Sequence, residues 1–477
     1  MALPNLITPS TEASLPITRG SLAEFSRDVL GSLLQLHADH GPVAVLEDGS
    51  QRVVFSFDPA VNKQVLSNLQ SYDAHFFAVR GPKRSSQRRV TCGLLGMNGQ
   101  PWKRNRRLVK EPFGLKQIAT YRPEITRLAE ETAAGWSLGD QIDFNQEMVR
   151  YMLRVTSTLL FGMSGSDADR QLAYDVGEQI AEWGRLNHDV GVGALVPDAT
   201  FSSRYEELLE FATGLESQVM EMIRRRREAP AKEARQAQDV LSILVRMNDT
   251  EGGLSDEELV GQSCVLFGAA HLTTAHSMMW TTFLLAQHPA AMQKLRETLP
   301  AADHPLTNGS SKPDPQSQFE RTMREGMRLL PASAYSQRIA SEPVDIGPFR
   351  SLPRGTPVIF TPLVTHRLPA IYPQPKRFDP ERWIEQKPEP YKYIPFGGGP
   401  RLCIGGPLAM EIIRTSLPIF YRDRAFRVQQ GADINAQVYS TMLHPTTGMP
   451  MEIVPVGEEA TSSIAGNLQE LVDLPNN

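Results

Sequence analysis

The stretch LSDEELVGQSCVLFGAAHLTTAHSMMWTTFLLAQHP, residues 254–289, constrains the fold of this chain more than any other. Ser255 is followed three residues later by Glu258, which is the pattern of a helix-capping box, and Pro289 prevents the helix from continuing. The pattern predicts one helix of roughly 32 residues, or about 48 Å at 1.5 Å per residue. Residues 264–285 are apolar nearly all round, yet polar groups interrupt them, so we expect this helix to cross the middle of a large core and not a membrane.

The chain on either side of this helix changes character. The pattern from about residue 21 to 299 is mostly helical, whereas from Ala334 onward short strand candidates alternate with proline-rich loops. Prolines exclude long helices from that second part; they are Pro331, Pro343, Pro348, Pro353, Pro357, Pro362, Pro369, Pro373, Pro375 and Pro380. Helices first and strands later predict an α+β fold, mainly α with a smaller β region. Residues 457–477 are polar and end in Pro-Asn-Asn, so we predict a flexible C-terminal tail.

Composition narrows the class of protein. The formal charge is -5, which argues against nucleic acid as the main partner. The three cysteines, Cys92, Cys264 and Cys403, are too few for a disulfide framework and favour a reducing compartment. The N-terminus has no apolar run typical of a signal peptide, and no segment reaches the length of a membrane span. These features predict a soluble, cytoplasmic protein.

The segment PFGGGPRLCIGG, residues 395–406, surrounds Cys403 with glycines. A free cysteine is by default a small buried hydrophobe. Here, however, Pro407 begins a predicted helix directly after the cysteine, and Arg401 adds positive charge two residues before it. A helix N-terminus and a nearby cation both favour the thiolate. Such a thiolate, with no second cysteine near it in the sequence, is either a nucleophile or a metal ligand.

The same segment resembles the haem-binding signature of the cytochrome P-450 family, F-x-x-G-x-R-x-C-x-G, through Phe396, Gly399, Arg401, Cys403 and Gly405. Four further segments resemble that family in the expected order: WKRNR its C helix, AAHLTT its I helix, EGMR its K helix, and FDPERW its P-E-R-F segment with Trp in place of Phe. The likeness covers about residues 30 to 455. It implies a helix-rich haem domain over residues 1–456, with the long helix at its centre.

The resemblance implies haem b as cofactor, with Cys403 as its thiolate ligand, and in such proteins the strong thiolate donor favours O–O cleavage. Phe396 would pack beside the sulfur, and glycines such as Gly405 would let the loop approach the porphyrin. Guanidinium and indole N–H groups suit the haem carboxylates; the residues implied are Trp102, Arg106, Arg338 and Arg401. Without the resemblance, Trp102 would be interpreted as a core residue and Arg106 as a solvated charge.

A second group is structural by the same resemblance. Glu325 and Arg328 stand one helical turn apart, close enough to pair. Arg382 would complete the buried triad of the family. We expect this triad to stabilise the fold on the haem side without touching substrate.

The long helix departs from the family pattern at one position. The family places Asp or Glu before the threonine on the oxygen side, but here that position is Leu272, with Ala270 at the glycine position and Thr273 and Thr274 following. Three interpretations remain open: a monooxygenase with a proton relay rerouted through Thr273 and His271, an enzyme that uses peroxide or rearranges or couples substrate radicals, and a haem-binding sensor or scaffold. His271 is alternatively a satisfied buried histidine.

The remaining expectations concern substrate and partners. The segments that line the pocket in such a fold suit a medium-sized hydrophobic molecule, namely a lipid, terpenoid, polyketide or aromatic natural product; alternatively, many of these residues are simply core. The predicted lining residues are Phe76, Phe77, Leu186, Val190, Val192, Leu195, Phe267, Ala270, Ala332, Ala334, Met442 and Leu443. We expect a monomer that receives electrons from a separate ferredoxin or flavodoxin, attracted by a basic helix surface that is otherwise merely solvated; its residues are Lys103, Arg104, Arg107 and Lys110.

Overall fold

A computed structural model describes residues 16–163, 165–194, 200–248, 253–299 and 314–475 of the chain. Of the predicted pocket residues, Leu195 lies outside this part. In the part described, helices form most of the molecule and small sheets flank them, so the predicted α+β class is confirmed. None of the described helices combines the length and the hydropathy that a membrane span requires.

The α-helices occupy most of the front and the centre of the chain. They are Leu22–Arg27 (α1), Val29–His40 (α2), Pro59–Ser67 (α3), Ser86–Val90 (α4), Gly99–Val109 (α5), Leu115–Ala134 (α6), Phe144–Ser157 (α7), Asp167–Gly193 (α8), Phe201–Glu228 (α9), Ala231–Gln236 (α10), Val240–Asn248 (α11), Asp256–Gln287 (α12), Pro289–Arg296 (α13), Gln318–Leu329 (α14), Pro362–Thr365 (α15), Arg382–Glu385 (α16) and Gly406–Phe420 (α17).

The strands form one six-stranded sheet and three smaller ones within the described residues. They are Ile17–Arg19 (β1), Val43–Asp48 (β2), Gln51–Ser56 (β3), Tyr72–Asp73 (β4), Gln141–Asp143 (β5), Ser336–Ala340 (β6), Val344–Ile346 (β7), Phe349–Leu352 (β8), Pro357–Phe360 (β9), Ala425–Val428 (β10), Ala436–Tyr439 (β11), Met442–Pro445 (β12) and Pro450–Val454 (β13). The large sheet has the order β1-β2-β3-β9-β6-β4, and β10-β13-β5, β11-β12 and β7-β8 make up the others. The proline-rich segment accordingly holds short strands and the four-residue helices α15 and α16.

Helix α12 crosses the core as the sequence predicts. Its 32 residues begin after Ser255, whose side chain accepts from Glu258 N at 3.2 Å while the Glu258 carboxylate accepts from Ser255 N at 2.8 Å. The helix ends at Gln287, and its C-cap His288 directly precedes Pro289. Helices α7, α14 and α17 and strand β10 pack around it, so most of its residues are buried.

The C-terminal segment differs from the predicted flexible tail. Leu468, Leu471 and Val472 have no exposed area and belong to the main hydrophobic cluster. Asp473 N donates to Lys376 O at 3.0 Å, which joins the segment to the proline-rich region. The polar composition of residues 457–477 concealed these three apolar side chains, and their burial holds the segment against the core.

Candidate active site

The loop that carries Cys403 is shaped by its own backbone. Cys403 N donates to Phe396 O at 2.9 Å, and α17 begins three residues later at Gly406. Gly397 and Gly399 have φ of 72° and 65°, which favour glycine. A Cβ on Gly399 would lie 2.3 Å from Leu66 O, so this glycine permits close contact with the end of α3. The loop therefore packs against α3 on one side, while Cys403 is exposed on the other.

The Cys403 thiol is accessible and yet surrounded by protein. Burial raises its pKa, and the backbone N–H groups of Gly405 and Gly406 together with the charge of Arg106 act in the opposite direction. The predicted preference for thiolate is thus present in the donors, but desolvation outweighs it in the protein alone. A bound metal ion deprotonates a coordinating thiol outright, so the donors here suit a thiolate ligand.

Beside this loop lies a cluster of cations on an aromatic ring. The Arg401 guanidinium lies 4.4 Å and that of Arg106 lies 5.7 Å from the centre of the Trp102 ring. Arg106 also donates to Leu402 O, next to the cysteine. Arg338 is 8% exposed and lies over the Phe360 ring. The structure thus brings together Trp102, Arg106 and Arg401 around the cysteine loop.

Arg338 is buried and Arg106 and Arg401 are partly exposed, and none of the three forms an ion pair with a carboxylate of the described chain. Burial first, and then the charge of Arg401, lower the pKa of Arg338 to about 10. Burial and the charge of Arg106 lower the pKa of Arg401 to about 10, against the opposing charge of Asp73. Among the described residues no carboxylate forms an ion pair with Arg106, Arg338 or Arg401, and Arg401 Nε is buried without a hydrogen-bond partner. Guanidinium groups that are buried or half-buried without a carboxylate partner favour the binding of an anionic group.

Helix α12 is open to space in the middle of its length. Most of the helix is buried, but Gly268 is exposed at the start of this stretch. Ala269 is exposed and Ala270, Leu272 and Thr273 are partly exposed. These four residues form what we call the open face. Thr273 Oγ1 donates to Ala269 O at 2.7 Å, so in this state its hydroxyl proton is held by the preceding turn.

His271 and Thr274 do not belong to the open face. His271 is buried, with Nε2 3.1 Å from Val149 O on α7, and burial lowers its pKa. Thr274 is 3% exposed. Each residue of a helix is rotated by about 100° from the next, which turns both side chains away from Thr273. His271 is thus a buried, hydrogen-bonded histidine, as in the alternative interpretation, and the catalytic role of His271 and Thr274 stays a prediction.

The structural triad comes together as expected, with an additional member. Glu325 accepts from Arg328 at 2.8 and 2.9 Å and from Arg382 Nε at 3.3 Å, and both partners of the Glu325–Arg328 pair are fully buried. Trp383 Nε1 also donates to Glu325, at 3.0 Å. The sequence analysis did not predict this bond. The one feature that pointed to it was the Trp at the position where the family has Phe.

The predicted pocket residues separate into two groups. Ala270 and Met442 are partly exposed, Phe76 is 41% exposed, Val192 is 38% exposed, and Phe77 packs against Trp183 with ring centres 5.7 Å apart. A second group is buried among other apolar groups, which agrees with the alternative that many of these residues are core; it comprises Leu186, Val190, Phe267, Ala332, Ala334 and Leu443. Phe267, for example, stacks on Phe161 at 5.9 Å, on the side of α12 that faces α8.

Comparison with known proteins agrees with this geometry. The family model described as Cytochrome P450 matches residues 9–448. Cyclooctatin synthase of Streptomyces melanosporofaciens is 29% identical over 405 residues, covering 83% of this chain and 85% of that protein. Cyclooctat-9-en-7-ol 5-monooxygenase of the same organism is 26% identical, covering 84% and 86%, and pentalenene oxygenase of Streptomyces avermitilis is 25% identical, covering 85% and 89%.

Solved structures show the same fold. The retinoic acid-bound cyanobacterial CYP120A1 superposes with a TM-score of 0.74 at 19% identity, covering 93% of this chain and 100% of that one. CYP175A1 from Thermus thermophilus superposes with a TM-score of 0.69 at 24% identity, covering 91% and 99%. At these identities the likeness concerns the fold alone.

Proposed function

Because this chain belongs to the cytochrome P450 family, whose members bind haem through a cysteine thiolate, we propose that it is a monooxygenase that oxidises a terpenoid. The observation that carries the proposal is the accessible Cys403 thiol near guanidinium groups, one of them buried and two partly exposed, that form no ion pair with the described residues. Haem has both an iron for the thiol and two carboxylates for the cations. The donor set therefore fits this cofactor.

We assign the residues that hold haem as follows. Cys403 would bind the iron, with the N–H groups of Gly405 and Gly406 directed at its sulfur. Phe396 would shield the sulfur, because its ring already packs close to Gly406, where an added Cβ would lie 3.4 Å away. The cation cluster would bind the carboxylates; its members are Trp102, Arg106, Arg338 and Arg401.

The haem, when bound, supplies the activation of dioxygen. The chain contributes exclusion of water, positioning of substrate and delivery of protons. Thr273 lies on the open face with a hydroxyl that can both donate and accept, whereas Leu272 next to it can hold no proton. His271 cannot replace the missing acid, because it faces α7. Proton delivery would therefore run through Thr273, water and polar groups of the substrate.

The absence of an acid at Leu272 favours a second candidate function, in which the enzyme uses peroxide or rearranges or couples substrate radicals. Peroxide arrives with the two protons that dioxygen would otherwise require. The test compares turnover of one substrate with reductant and dioxygen and with hydrogen peroxide alone. Faster turnover with reductant supports the monooxygenase, and turnover with peroxide only supports the second candidate. Tight haem binding without turnover under either condition would contradict both.

Electrons would come from an acidic ferredoxin or flavodoxin that docks on α5. Lys103, Arg107 and Lys110 are exposed on and just after this helix, whereas Arg104 is paired with Glu258 at 2.8 Å and offers less charge than the sequence suggested. Exposed charges steer association and are screened by salt. Reversal of Lys103 and Arg107 to Glu should slow reduction by the donor at low salt and flatten its salt dependence. Arg350→Glu, whose side chain is 67% exposed in the β7-β8 hairpin, is the control, and an equal effect there would contradict docking on α5.

The terpenoid class is supported by the relatives and by the apolar lining. Pentalenene oxygenase and cyclooctat-9-en-7-ol 5-monooxygenase act on such molecules by their names. The partly exposed side chains Phe77, Leu272 and Met442 offer apolar surface for a hydrocarbon skeleton. Compounds that convert the ferric haem from low to high spin would identify the class. Binding of fatty acids or aromatic acids in preference to terpenoids would contradict it.

A further inference from the structure

His276 is a buried residue that adjoins the open face of α12 on the side of the helix C-terminus. It follows Leu272 by four residues and Thr273 by three, which are the spacings at which helix side chains are neighbours. Trp280, four residues further on, donates its indole N–H to Leu443 O at 3.0 Å and so joins this face to strand β12. His276 therefore lies between the open face and the β11-β12 hairpin.

The imidazole of His276 has no hydrogen-bond partner in the described part of the chain. It is 5% exposed, Nδ1 is fully buried without a hydrogen bond, and neither ring nitrogen bonds to any described residue. Burial, followed by the charges of His444 and His271, lowers its pKa to about 3, so the ring is neutral near pH 7. A neutral imidazole has one N–H donor and one acceptor, and leaving a buried polar group unsatisfied is costly.

The polar groups around His276 are already satisfied. The ring of His444 lies nearly parallel to that of His276 with centres 6.2 Å apart, but its nitrogens contact Gln437 Nε2 and Pro445 O. Tyr439, on the same side of the hairpin, donates its hydroxyl to Asp189 at 2.5 Å. Met442 pairs with Tyr439 across the hairpin and adds a partly exposed apolar surface on that side. Among these described neighbours, His276 is thus the polar side chain whose hydrogen-bonding groups remain unpaired. The others are hydrogen-bonded or apolar.

We propose that His276 binds the oxygen of a hydroxyl or carbonyl group that the substrate already carries. This inference rests on the proposed function, because it concerns the substrate of the same site. A neutral imidazole suits a neutral oxygen and not a carboxylate, whose charge would remain uncompensated beside it. A substrate that satisfies this ring is therefore an oxygenated terpenoid and not a plain hydrocarbon.

This assignment means that the enzyme acts on the product of an earlier reaction in a biosynthetic series. A hydrocarbon skeleton gains its first oxygen either by an earlier monooxygenation or by capture of water when a carbocation is quenched during cyclisation. A reaction of one of these two classes must supply the substrate. The present enzyme would then add oxygen at a second carbon, with the first oxygen anchored at His276.

The experiment measures binding of a compound to the purified holoprotein. The readout is the shift of the Soret band that accompanies conversion of the ferric haem from low to high spin. The probes are two matched pairs, cedrene with cedrol and abietadiene with abietadienol. Wild type should bind at least one alcohol about tenfold more tightly than its parent hydrocarbon, the effect of one hydrogen bond in a buried site. His276→Phe should lose this preference, and His276→Gln, which keeps a donor and an acceptor, should retain part of it.

The control is His188→Phe. The His188 ring packs against Tyr439 at 4.2 Å, so this variant removes a neighbouring imidazole while keeping an aromatic ring, and the preference should persist. Without ligand, His276→Phe should melt no lower than wild type, because no hydrogen bond is lost. An unchanged preference in His276→Phe, or a large loss of thermal stability without ligand, overturns the inference alone. Absence of any spectral response to all four compounds contradicts the terpenoid class and the inference together.

Discussion

The indole N–H of Trp383 donates a hydrogen bond to Oε2 of Glu325 at 3.0 Å. The same carboxylate accepts from Arg328, from Arg382 and from Asp379 N, so it is enclosed by donors from its own helix and from the segment around α16. Glu325 has no exposed area. Such a group depends on every donor, because a buried charge that loses a partner is expensive.

Trp383→Phe should lower the free energy of unfolding by about 1.5–3 kcal/mol, the contribution of a hydrogen bond to a charged group. Urea titration followed by fluorescence measures the change. Trp136→Phe is the matched control, since Trp136 donates at 3.0 Å to Glu147, whose side chain is 20% exposed and can rebond to water. The control should cost less, and a larger loss in the control would contradict this account.

His366 should make stability depend on pH. Burial first, and then the charges of Arg328 and Arg367, lower its pKa from the ordinary value of 6.5 to about 3. Its Nε2 accepts from Ile394 N at 2.8 Å, and the rings of Tyr372 and Tyr393 pack against it. Below pH 6.5 the unfolded chain binds the proton and the folded protein does not, so this contribution is complete above pH 6.5 and is lost as pH falls toward 3.

The size of this loss is about 1.4 kcal/mol for each pH unit below about 6.5. His366→Gln keeps an acceptor for Ile394 N and cannot be protonated, so its unfolding midpoint should fall less between about pH 7 and pH 5. The measurement is urea unfolding of both proteins at the two pH values. Parallel pH profiles for wild type and variant would show that His366 does not bind its proton as argued.

Cys403→Ser should abolish the red-shifted Soret band of the reduced carbon monoxide complex, because serine supplies no thiolate. Cys92→Ser is the control, since Cys92 is a half-buried thiol whose pKa burial raises and which lies outside the cation cluster. The band should persist in the control. A thiolate band in Cys403→Ser would rule out this residue as the ligand.

Leu272→Asp should restore an acid on the open face and raise the fraction of dioxygen that ends in product, by up to about tenfold if proton delivery limits coupling. Leu272→Asn is the control, because Asn has the shape of Asp without a titratable proton. The ratio of product to reductant consumed is the measurement, with hydrogen peroxide release as its complement. Equal coupling in the two variants would show that the missing acid does not limit coupling. Thr273→Ala should lower coupling, because the proposed proton delivery runs through its hydroxyl.

Leu471→Ala should destabilise the protein by about 2–5 kcal/mol, as expected for a core leucine. Leu471 has no exposed area, and its carbonyl accepts from Arg367 at 3.3 Å. Leu115→Ala is the control, because Leu115 is 72% exposed and should cost within about 0.5 kcal/mol. Similar melting temperatures for the two variants would indicate a mobile C-terminal segment after all.

Much of the fold followed from local patterns. The capping box at Ser255 and the proline at 289 defined α12, because caps and prolines act within one helical turn. The prolines after 331 excluded long helices for the same local reason. The spacing of Phe396, Arg401 and Cys403 identified the family through a signature that lies within ten residues. Each of these inferences depends on neighbours in the chain.

Only the tertiary structure decided which face of a helix meets which neighbour. The sequence could not tell that His271 bonds to Val149 on α7 while His276, five residues later, finds no hydrogen-bond partner among the described residues. Nor could it tell that Leu471 is buried, since the polar composition around it suggested the opposite. Burial and hydrogen-bond satisfaction depend on segments that are far apart in the chain, and composition within a short segment carries no information about them.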